Sequence, residues 1–470
     1  MRHIQGQSRY QTTLIPESLD ELIPRNHPVR VIDAFVDMLD LTNLGFIKAI
    51  AKKTGRPPYH PGDLLKLYLY GYLNQIRSSR GLEKESHRNM EVLWLINRLS
   101  PDFKTIADFR KENSLAIQQA CREFILFCRE QALFGSELVA IDGSKFQAAS
   151  SKKQCYTLNE LKEQNARVEQ SINDYLQALE QSEDQSVIEN TELNVTQDAL
   201  TALQQRKDKL KKLQQKMDET GQKAGCMTEE DARLMRSSQG QTITGYNVQT
   251  AVDSKHSLII CHEVTQESND TRQLFPMACQ AKEVLKVKEL QVVADAGYSN
   301  GEHAHYCEEA NIQTYVPTNR AINTTGNFDK SAFSYDEKKD AYLCPAGEWL
   351  HHKTVATKDK LHLYTNENCG GCSLKSQCTS ANKRWVSRHF YEDALNRMEI
   401  RAQQNSWIMK KRRSIVEHPF GTLKRMMGNR RFLTRGLNNV KGEMALSILA
   451  YNFLRVINIL GVSNLITKMA

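Results

Sequence analysis

The sequence predicts a mixed α/β fold of the α+β kind, preceded by an all-α region and interrupted by a helical hairpin. Three observations lead to this fold class. The first 135 residues have helical apolar periodicity, several short apolar segments have strand character, and residues 157–220 contain neither glycine nor proline. Strands interleaved with helices form mixed sheets, whereas a long uninterrupted stretch rich in Leu, Gln, Glu and Lys forms extended helices. We therefore expect residues 157–220 to be an insertion in the sheet region.

The region before residue 135 has several helix signals. His60-Pro61-Gly62-Asp63 opens a segment, residues 64–73, that is apolar nearly all round and is expected to be central to its domain. Residues 91–99 form a further helix, and Thr105 with Asp108 fits a capping box at the start of the next one. These two helices are equally consistent with a DNA-reading helix-turn-helix and with ordinary packing. The upstream residues 52–58 fit a minor-groove arm or, more often, a stiff linker.

The predicted strands lie on both sides of the hairpin. Two of them run directly into acidic residues, Asp142 and Asp295, and each of these is followed by glycine within two positions. Between them, two strands are joined by a turn that contains Asp253, and Asp270 precedes a predicted helix, so we interpret these two as a turn residue and a helix cap. The strands are expected at residues 138–141, 245–252, 258–260 and 290–294.

Composition places the chain among soluble globular proteins. Of its 470 residues 40% are hydrophobic and 25% are charged, which excludes wholesale disorder and fibrous repeats, and the length predicts about three domains. Residues 1–30 lack the apolar core of a signal peptide. The most apolar stretch, residues 445–462, is interrupted by Asn452, Arg455 and Asn458. We therefore expect a cytoplasmic protein without a membrane partner.

Positive charge is concentrated near the end of the chain. Residues 410–435, called the basic strip below, contain nine basic residues and a single acid, Glu417, and carry the whole formal net charge of +8. Such a concentration indicates a polyanionic partner, most commonly nucleic acid, with a solvated basic face as the alternative. The basic residues are Lys410, Lys411, Arg412, Arg413, Lys424, Arg425, Arg430, Arg431 and Arg435.

Eleven cysteines in a chain without a secretion signal predict reduced thiols or a metal site instead of a disulfide framework. Cys369 and Cys372 have zinc-knuckle spacing, and Cys344 with Cys378 would complete four thiolates around a structural Zn²⁺. Plain reduced cysteines are equally consistent with the spacing. A redox pair is a third alternative without supporting context.

Three carboxylates are candidate ligands of hard metal ions. A carboxylate at the end of a buried strand is costly unless it meets a cation or hydrogen bonds, and a satisfied turn residue is the simpler explanation for any single one. Asp142 and Asp295 on neighbouring strands, with Glu417 isolated in the basic strip, instead favour Mg²⁺. Two such ions can activate a water or a 3′-hydroxyl and stabilise the leaving oxygen of a phosphodiester.

Several of these sequence blocks resemble the motifs of a known protein family. The blocks around Asp142 and Asp295, the block 245–253, and Arg413, Glu417 and Lys424 at Arg-x3-Glu-x6-Lys spacing resemble the DDE transposases of bacterial insertion sequences. Lys410 stands where that family's Tyr-Arg-Glu-Lys signature has tyrosine. Residues 55–59 and 435–452 are also similar to one large subgroup, so the resemblance extends over most of the chain.

The resemblance implies an RNase H-like catalytic domain that uses Mg²⁺ or Mn²⁺. Asp142, Asp295 and Glu417 would be the metal-binding catalytic triad, Arg413 and Lys424 would contact phosphate, and His418 beside the triad is expected to have a packing role. The chain would divide into an N-terminal helical domain that is a candidate for binding the DNA ends, a first catalytic part, a cysteine-containing insertion and a C-terminal catalytic part. These segments are residues 1–135, 136–335, 336–390 and 391–470.

The predicted function is DNA transposition. The protein would bind the terminal inverted repeats of its element, cut phosphodiester bonds there and join them to target DNA, as a nucleoid-associated homodimer in the DNA complex. An RNase H-like nuclease without strand transfer is the nearest alternative. A transposase-derived DNA-binding regulator is the alternative from another class, and the intact triad argues against it.

Overall fold

The computed structural model describes most of the chain. It covers residues 18–51, 54, 57–151, 154–183, 190–222, 224–237, 240–318, 327–426, 428 and 431–470, with side chains at 178–183 and 190–197 left undescribed. Much of the predicted arm at 52–58, and Arg430 of the basic strip, lie outside the described residues. The described residues up to position 130 form seven helices: α1 Leu19–Leu22, α2 Pro28–Asp37, α3 Pro61–Leu73, α4 Ser79–Arg88, α5 Met90–Leu95, α6 Phe103–Glu112 and α7 Ser114–Glu130.

Helix α3 occupies the centre of this helical region, as its all-round apolarity predicts. Pro61 is at its first turn, and the Tyr68 hydroxyl, fully buried, donates to the Ile106 carbonyl at 2.8 Å. Two predicted helix boundaries are wrong. Helix α5 ends at Leu95 because Asn97 and Arg98 adopt left-handed backbone conformations. Helix α6 begins before the predicted capping box, because the carboxylate of Asp102 caps the Thr105 amide at 2.9 Å.

The central sheet is mixed. Its order is β4-β5-β1-β7-β8, with β6 also paired to β5, and β1, β7 and β8 are mutually parallel. Strand β1 runs on past the predicted end at residue 141, because β5 pairs with it along residues 139–147 whereas β7 pairs only with 138–140. The strands are β1 Leu138–Gln147, β4 Arg233–Arg236, β5 Thr242–Asp253, β6 Ile259–Thr265, β7 Leu290–Val293 and β8 Ile312–Tyr315.

Helices cover the sheet and join it to the N-terminal region. Phe124 of α7 stacks on Phe453 of α15, and Phe35 of α2 contacts both rings edge to face, with centroid distances of 4.2–5.3 Å, within one continuous hydrophobic core. Among the described helices α15 is the one long and apolar enough to cross a membrane, but 67% of that window is buried inside the protein. The covering helices are α10 Leu274–Leu285, α11 Gly301–Glu309, α13 Glu392–Gln404, α14 Ser406–Met426, α15 Leu437–Leu460 and α16 Val462–Met469.

The stretch without glycine and proline forms two long helices, α8 Leu158–Glu183 and α9 Asn190–Thr220. They pack on each other around a small core of their own, which includes Leu161, Val168 and Leu213. Short strands β2 Cys155–Thr157 and β3 Ala224–Cys226 pair at their base, where a disulfide links Cys155 to Cys226. The expectation of reduced thiols is wrong for this pair, since β-pairing brings together cysteines 71 residues apart.

The cysteine-containing segment forms a second sheet. Its five antiparallel strands stand in the order β13-β12-β11-β10-β9 and enclose a core that includes Phe333, Leu350 and Tyr364. A short helix, α12 Lys375–Cys378, precedes the last strand. The strands are β9 Ser334–Asp336, β10 Ala341–Leu343, β11 Trp349–Ala356, β12 Leu361–Thr365 and β13 Trp385–His389.

Candidate active site

The sheet brings Asp142 and Asp295 together. Ala140 is the last residue of β1 that pairs with β7, opposite Val293, and each aspartate follows its strand's paired residue by two positions. Equal offsets on neighbouring parallel strands place two side chains side by side at the same edge. Arg412 of α14 reaches both, with Nη1 3.6 Å from Asp142 Oδ1 and Nη2 4.0 Å from Asp295 Oδ2.

Burial dominates the electrostatics of Asp142. Desolvation raises the pKa of this carboxyl to about 6, with the nearby Asp295 adding to the rise and the Arg412 guanidinium opposing it. Burial therefore disfavours the ionised form of Asp142, and a neighbouring cation favours it. A perturbed carboxyl beside a second carboxyl is the pattern expected of a functional site.

Asp295 opens a tight turn directly after β7. Its Oδ1 accepts a hydrogen bond from the Gly297 amide at 2.9 Å, which holds the carboxylate over the first residues of the turn. A Cβ at position 297 would lie 3.0 Å from that same oxygen, so a larger residue there would displace the Asp295 carboxylate by a few tenths of an ångström. The Asp295 side chain is 45% exposed, which leaves its second oxygen accessible.

Helix α14 lies along β1, with Phe420 packed on Phe146 at a centroid distance of 6.4 Å. Glu417 is on the exposed part of this helix. Among the described residues no group of three or more His, Cys, Asp or Glu side chains has a metal-holding arrangement, so the structure does not bring Glu417 together with the two aspartates. His418, next to it, contacts the Tyr451 hydroxyl through Nδ1 at 3.1 Å.

The basic strip does not form one uniform face. Arg412 turns inward to the aspartates, and Lys424 Nζ lies 5.6 Å from the centroid of the Phe420 ring. The strip residues exposed to solvent are Lys410, Lys411, Arg413, Arg425, Arg431 and Arg435. Most of the described positive charge of the strip is therefore exposed and accessible to a polyanion.

Sequence reasoning missed a polar network close to the two aspartates. The Asp270 carboxylate accepts hydrogen bonds from Asn247 Nδ2 at 2.7 Å and Gln249 Nε2 at 2.6 Å, and pairs with Lys145 Nζ at 3.2 Å. Gln249 in turn accepts from the Tyr298 hydroxyl. The alternation of Asn247 and Gln249 within an otherwise apolar strand was the available signal.

The helix-cap interpretation of Asp270 is therefore wrong. Helix α10 begins at Leu274 after Gln273, without a side-chain cap, and the carboxylate of Asp270 is engaged by the network instead. The interpretation of Asp253 as a turn residue is confirmed. Its carboxylate accepts from the amides of Gly135 at 3.0 Å, Ser136 at 3.2 Å and Lys255 at 2.8 Å.

All four clustered cysteines line one cavity in the second sheet's domain, together with apolar side chains such as Phe333 and Leu350. Burial raises the pKa of the Cys378 thiol. The described side chains do not form a preassembled metal cluster there. The thiols face the same space, and their donor chemistry suits zinc. The lining cysteines are Cys344, Cys369, Cys372 and Cys378.

Comparison with known proteins identifies the class. Residues 17–112 match the family model described as a transposase domain (DUF772), and residues 215–453, just over half of the chain, match the model of the transposase DDE domain. The chain is thus a transposase by class, and it belongs to the DDE transposase family. The second match includes Asp295 and Glu417, whereas Asp142 lies between the two matched segments.

Other comparisons add little. No curated protein matches the sequence. The cryo-EM structure of the piggyBac transposase synaptic complex with hairpin DNA is similar at 10% identity over 94% of this chain and 78% of that one, with a TM-score of 0.34. At that score the likeness says nothing about the site.

Proposed function

We propose that the protein is the transposase of an insertion sequence, which binds the terminal inverted repeats, cuts phosphodiester bonds there and joins the ends to target DNA. One observation supports this best. Asp142 on β1 and Asp295 directly after β7 lie side by side, beside a helix that carries exposed cationic side chains. Family membership supports the same chemistry. An RNase H-like architecture for the sheet region is part of this proposal.

A divalent cation, Mg²⁺ or Mn²⁺, fits the two aspartates. Their carboxylates are hard oxygen donors, and the guanidinium between them already provides positive charge at that place. We propose that Asp142, Asp295 and Glu417 hold the ion, with Glu417 approaching from α14. When bound, such an ion supplies an activated nucleophile and stabilises the leaving oxygen. Arg413 and Lys424 bind the phosphate backbone and position it.

The test uses duplex DNA that carries the repeats flanking the element's gene, labelled at its ends and incubated with Mg²⁺ and target DNA. Joined donor–target products are expected. Cleavage without joining would instead indicate a nuclease, and binding without cleavage would indicate a regulator. The full chain is needed, because the N-terminal helices and the sheet share one core.

The basic strip is expected to provide sequence-independent affinity. Replacing Lys410, Lys411, Arg430 and Arg431 with alanine should weaken binding to all duplexes and flatten the slope of log K against log salt by up to ~0.9 for each phosphate that is no longer neutralised. The matched control replaces the exposed Lys338 and Lys358 of the second sheet's domain. A slope unchanged by the first set would mean that the strip faces solvent in the complex.

We propose that the four cysteines bind structural zinc. Purified protein should contain zinc in a 1:1 ratio by elemental analysis, and Cys369→Ser should lose most of it, because three thiolates hold the ion more weakly than four. Cys279→Ser, at a free cysteine elsewhere, is the control. Wild-type protein that remains zinc-free after zinc is supplied would contradict the proposal.

Assembly and domain roles follow from the two-ended reaction. We propose that residues 1–135 contact the DNA end, that 136–335 and 391–470 form the catalytic domain, and that 336–390 is its cysteine-containing insertion. The working location is the nucleoid. Coupled insertion requires two ends held together, so two chains are expected per DNA pair. Light scattering of the complex with paired ends should give the mass of a dimer, and a single chain that joins both ends would exclude it.

A further inference from the structure

The strongest unassigned feature is the guanidinium of Arg412, which lies within 4.0 Å of the carboxylates of both aspartates. Its Nη1 and Nη2 approach Asp142 and Asp295 respectively, and its side chain is only 14% exposed. We propose that Arg412 is an internal counter-ion that keeps divalent metal out of the DNA-free protein and moves onto a DNA phosphate when DNA binds. This inference rests on the proposed metal role of Asp142 and Asp295.

The contact is ionic without being hydrogen-bonded. Its distances of 3.6 and 4.0 Å exceed hydrogen-bond length, and buried Nη1 has no hydrogen-bond partner among the residues that the structure describes. Arginines with a structural role behave differently here. Arg388 binds Asp393 at 2.6 and 2.7 Å, and Arg397 Nη2 binds Glu308 at 2.6 Å. Arg412 therefore neutralises the charge of the aspartates without being held in place by hydrogen bonds to them, as an exchangeable counter-ion must.

The position of Arg412 makes an exchange with phosphate geometrically simple. It is on the same helix as the exposed Lys411 and Arg413, which would meet the DNA backbone. Successive helical residues point about 100° apart, so Arg413 faces solvent while Arg412 faces the sheet. A guanidinium is also the side chain best suited to bind phosphate in a bidentate manner. A phosphate next to α14 thus competes directly with the aspartates for Arg412.

The expected change in metal affinity follows from competition between the metal ion and the guanidinium of Arg412. A metal ion and a guanidinium cannot occupy the same few ångströms between two carboxylates, so metal binds only the fraction of molecules in which Arg412 has moved out. If that fraction is about a tenth, removing the guanidinium tightens metal binding about tenfold. DNA should have the same effect on the wild-type protein.

The experiment is a Mn²⁺ titration of the full chain without DNA, followed by the electron paramagnetic resonance signal of free Mn²⁺. We expect Arg412→Gln to bind Mn²⁺ about tenfold more tightly than wild type. Lys338→Gln removes one exposed charge from the second sheet's domain and should leave the DNA-free affinity within about twofold, because surface charges are screened. Arg412→Lys keeps the charge but loses the bidentate guanidinium group. Its Mn²⁺ affinity should lie between those of Arg412→Gln and wild type.

Two further arms separate the possible failures. Adding duplex DNA should tighten Mn²⁺ binding to wild type but not to Arg412→Gln. The DNA itself also binds Mn²⁺, and this background is measured on the complex of Asp142→Asn with DNA and subtracted. The wild-type half of this comparison, with and without DNA, needs no variant at Arg412 to fold. Equal affinity of wild type and Arg412→Gln, with weaker binding by Asp142→Asn, would overturn the counter-ion role and leave the proposed function intact. If Asp142→Asn and Asp295→Asn bind like wild type with and without DNA, the proposed function itself fails.

Discussion

Asp142→Asn and Asp295→Asn are each expected to abolish DNA cleavage while DNA binding survives. Asparagine keeps the shape of the side chain but removes the charge that would hold a metal ion at the edge of the sheet. Loss of one ligand removes roughly 4 kcal/mol of transition-state stabilisation, which lowers the rate about 10³-fold. Cleavage of labelled end DNA and a binding titration on the same protein measure the two effects separately.

The same assay tests the third member of the proposed triad. Glu417→Gln should lose cleavage to a similar extent, although the free protein holds Glu417 on the exposed part of α14. Asp218→Asn, on the exposed surface of α9, is the matched control and should cleave normally. Wild-type cleavage by the Glu417 variant would remove that residue from the site and leave the two aspartates to be completed by another group.

Glu443→Ala is expected to destabilise the protein by roughly 3–5 kcal/mol, because it removes the buried carboxylate that pairs with the guanidinium of Arg77. Glu443 is completely buried, and its carboxylate accepts from Arg77 Nη2 at 2.6 Å, the Leu433 amide at 3.0 Å and the Thr434 amide at 2.9 Å. These bonds attach the end of the basic strip and helix α15 to the N-terminal helical region. Urea unfolding followed by circular dichroism measures the loss, with the exposed Glu267→Ala as the control.

We expect the Glu443 carboxylate to make the folding stability depend on pH. Burial works to raise the pKa of Glu443, but the positive charges of Arg110 and Arg77 outweigh it and hold this pKa below its usual value. A depressed pKa means that the folded state binds the proton less readily than the unfolded state, so the stability is present above about pH 4.3 and lost as pH falls below it. Wild type should lose stability in that range more steeply than Glu443→Ala. Parallel curves for the two proteins would contradict this assignment.

Local sequence signals predicted which helices and strands form better than they predicted where those helices and strands begin and end. The apolarity of residues 64–73 corresponds to the buried α3, and the stretch without glycine and proline corresponds to α8 and α9. The start of α6 was missed because Asp102 and Thr105 both satisfy cap chemistry, and only the hydrogen bond distinguishes them. The end of β1 was missed because pairing with β5, which lies far along the chain, extends the strand.

The sequence by itself determined that two strands lead to Asp142 and Asp295, that a helical hairpin interrupts the sheet region, and that positive charge gathers around Glu417. These features depend on local periodicity and composition, which neighbouring residues set. Only the tertiary structure decided that Arg412 rather than Arg413 faces the aspartates, and that Asp270 pairs with Lys145. The rotation of a helix on a sheet, and the pairing of side chains 125 residues apart, depend on how distant surfaces pack, and local sequence does not encode that.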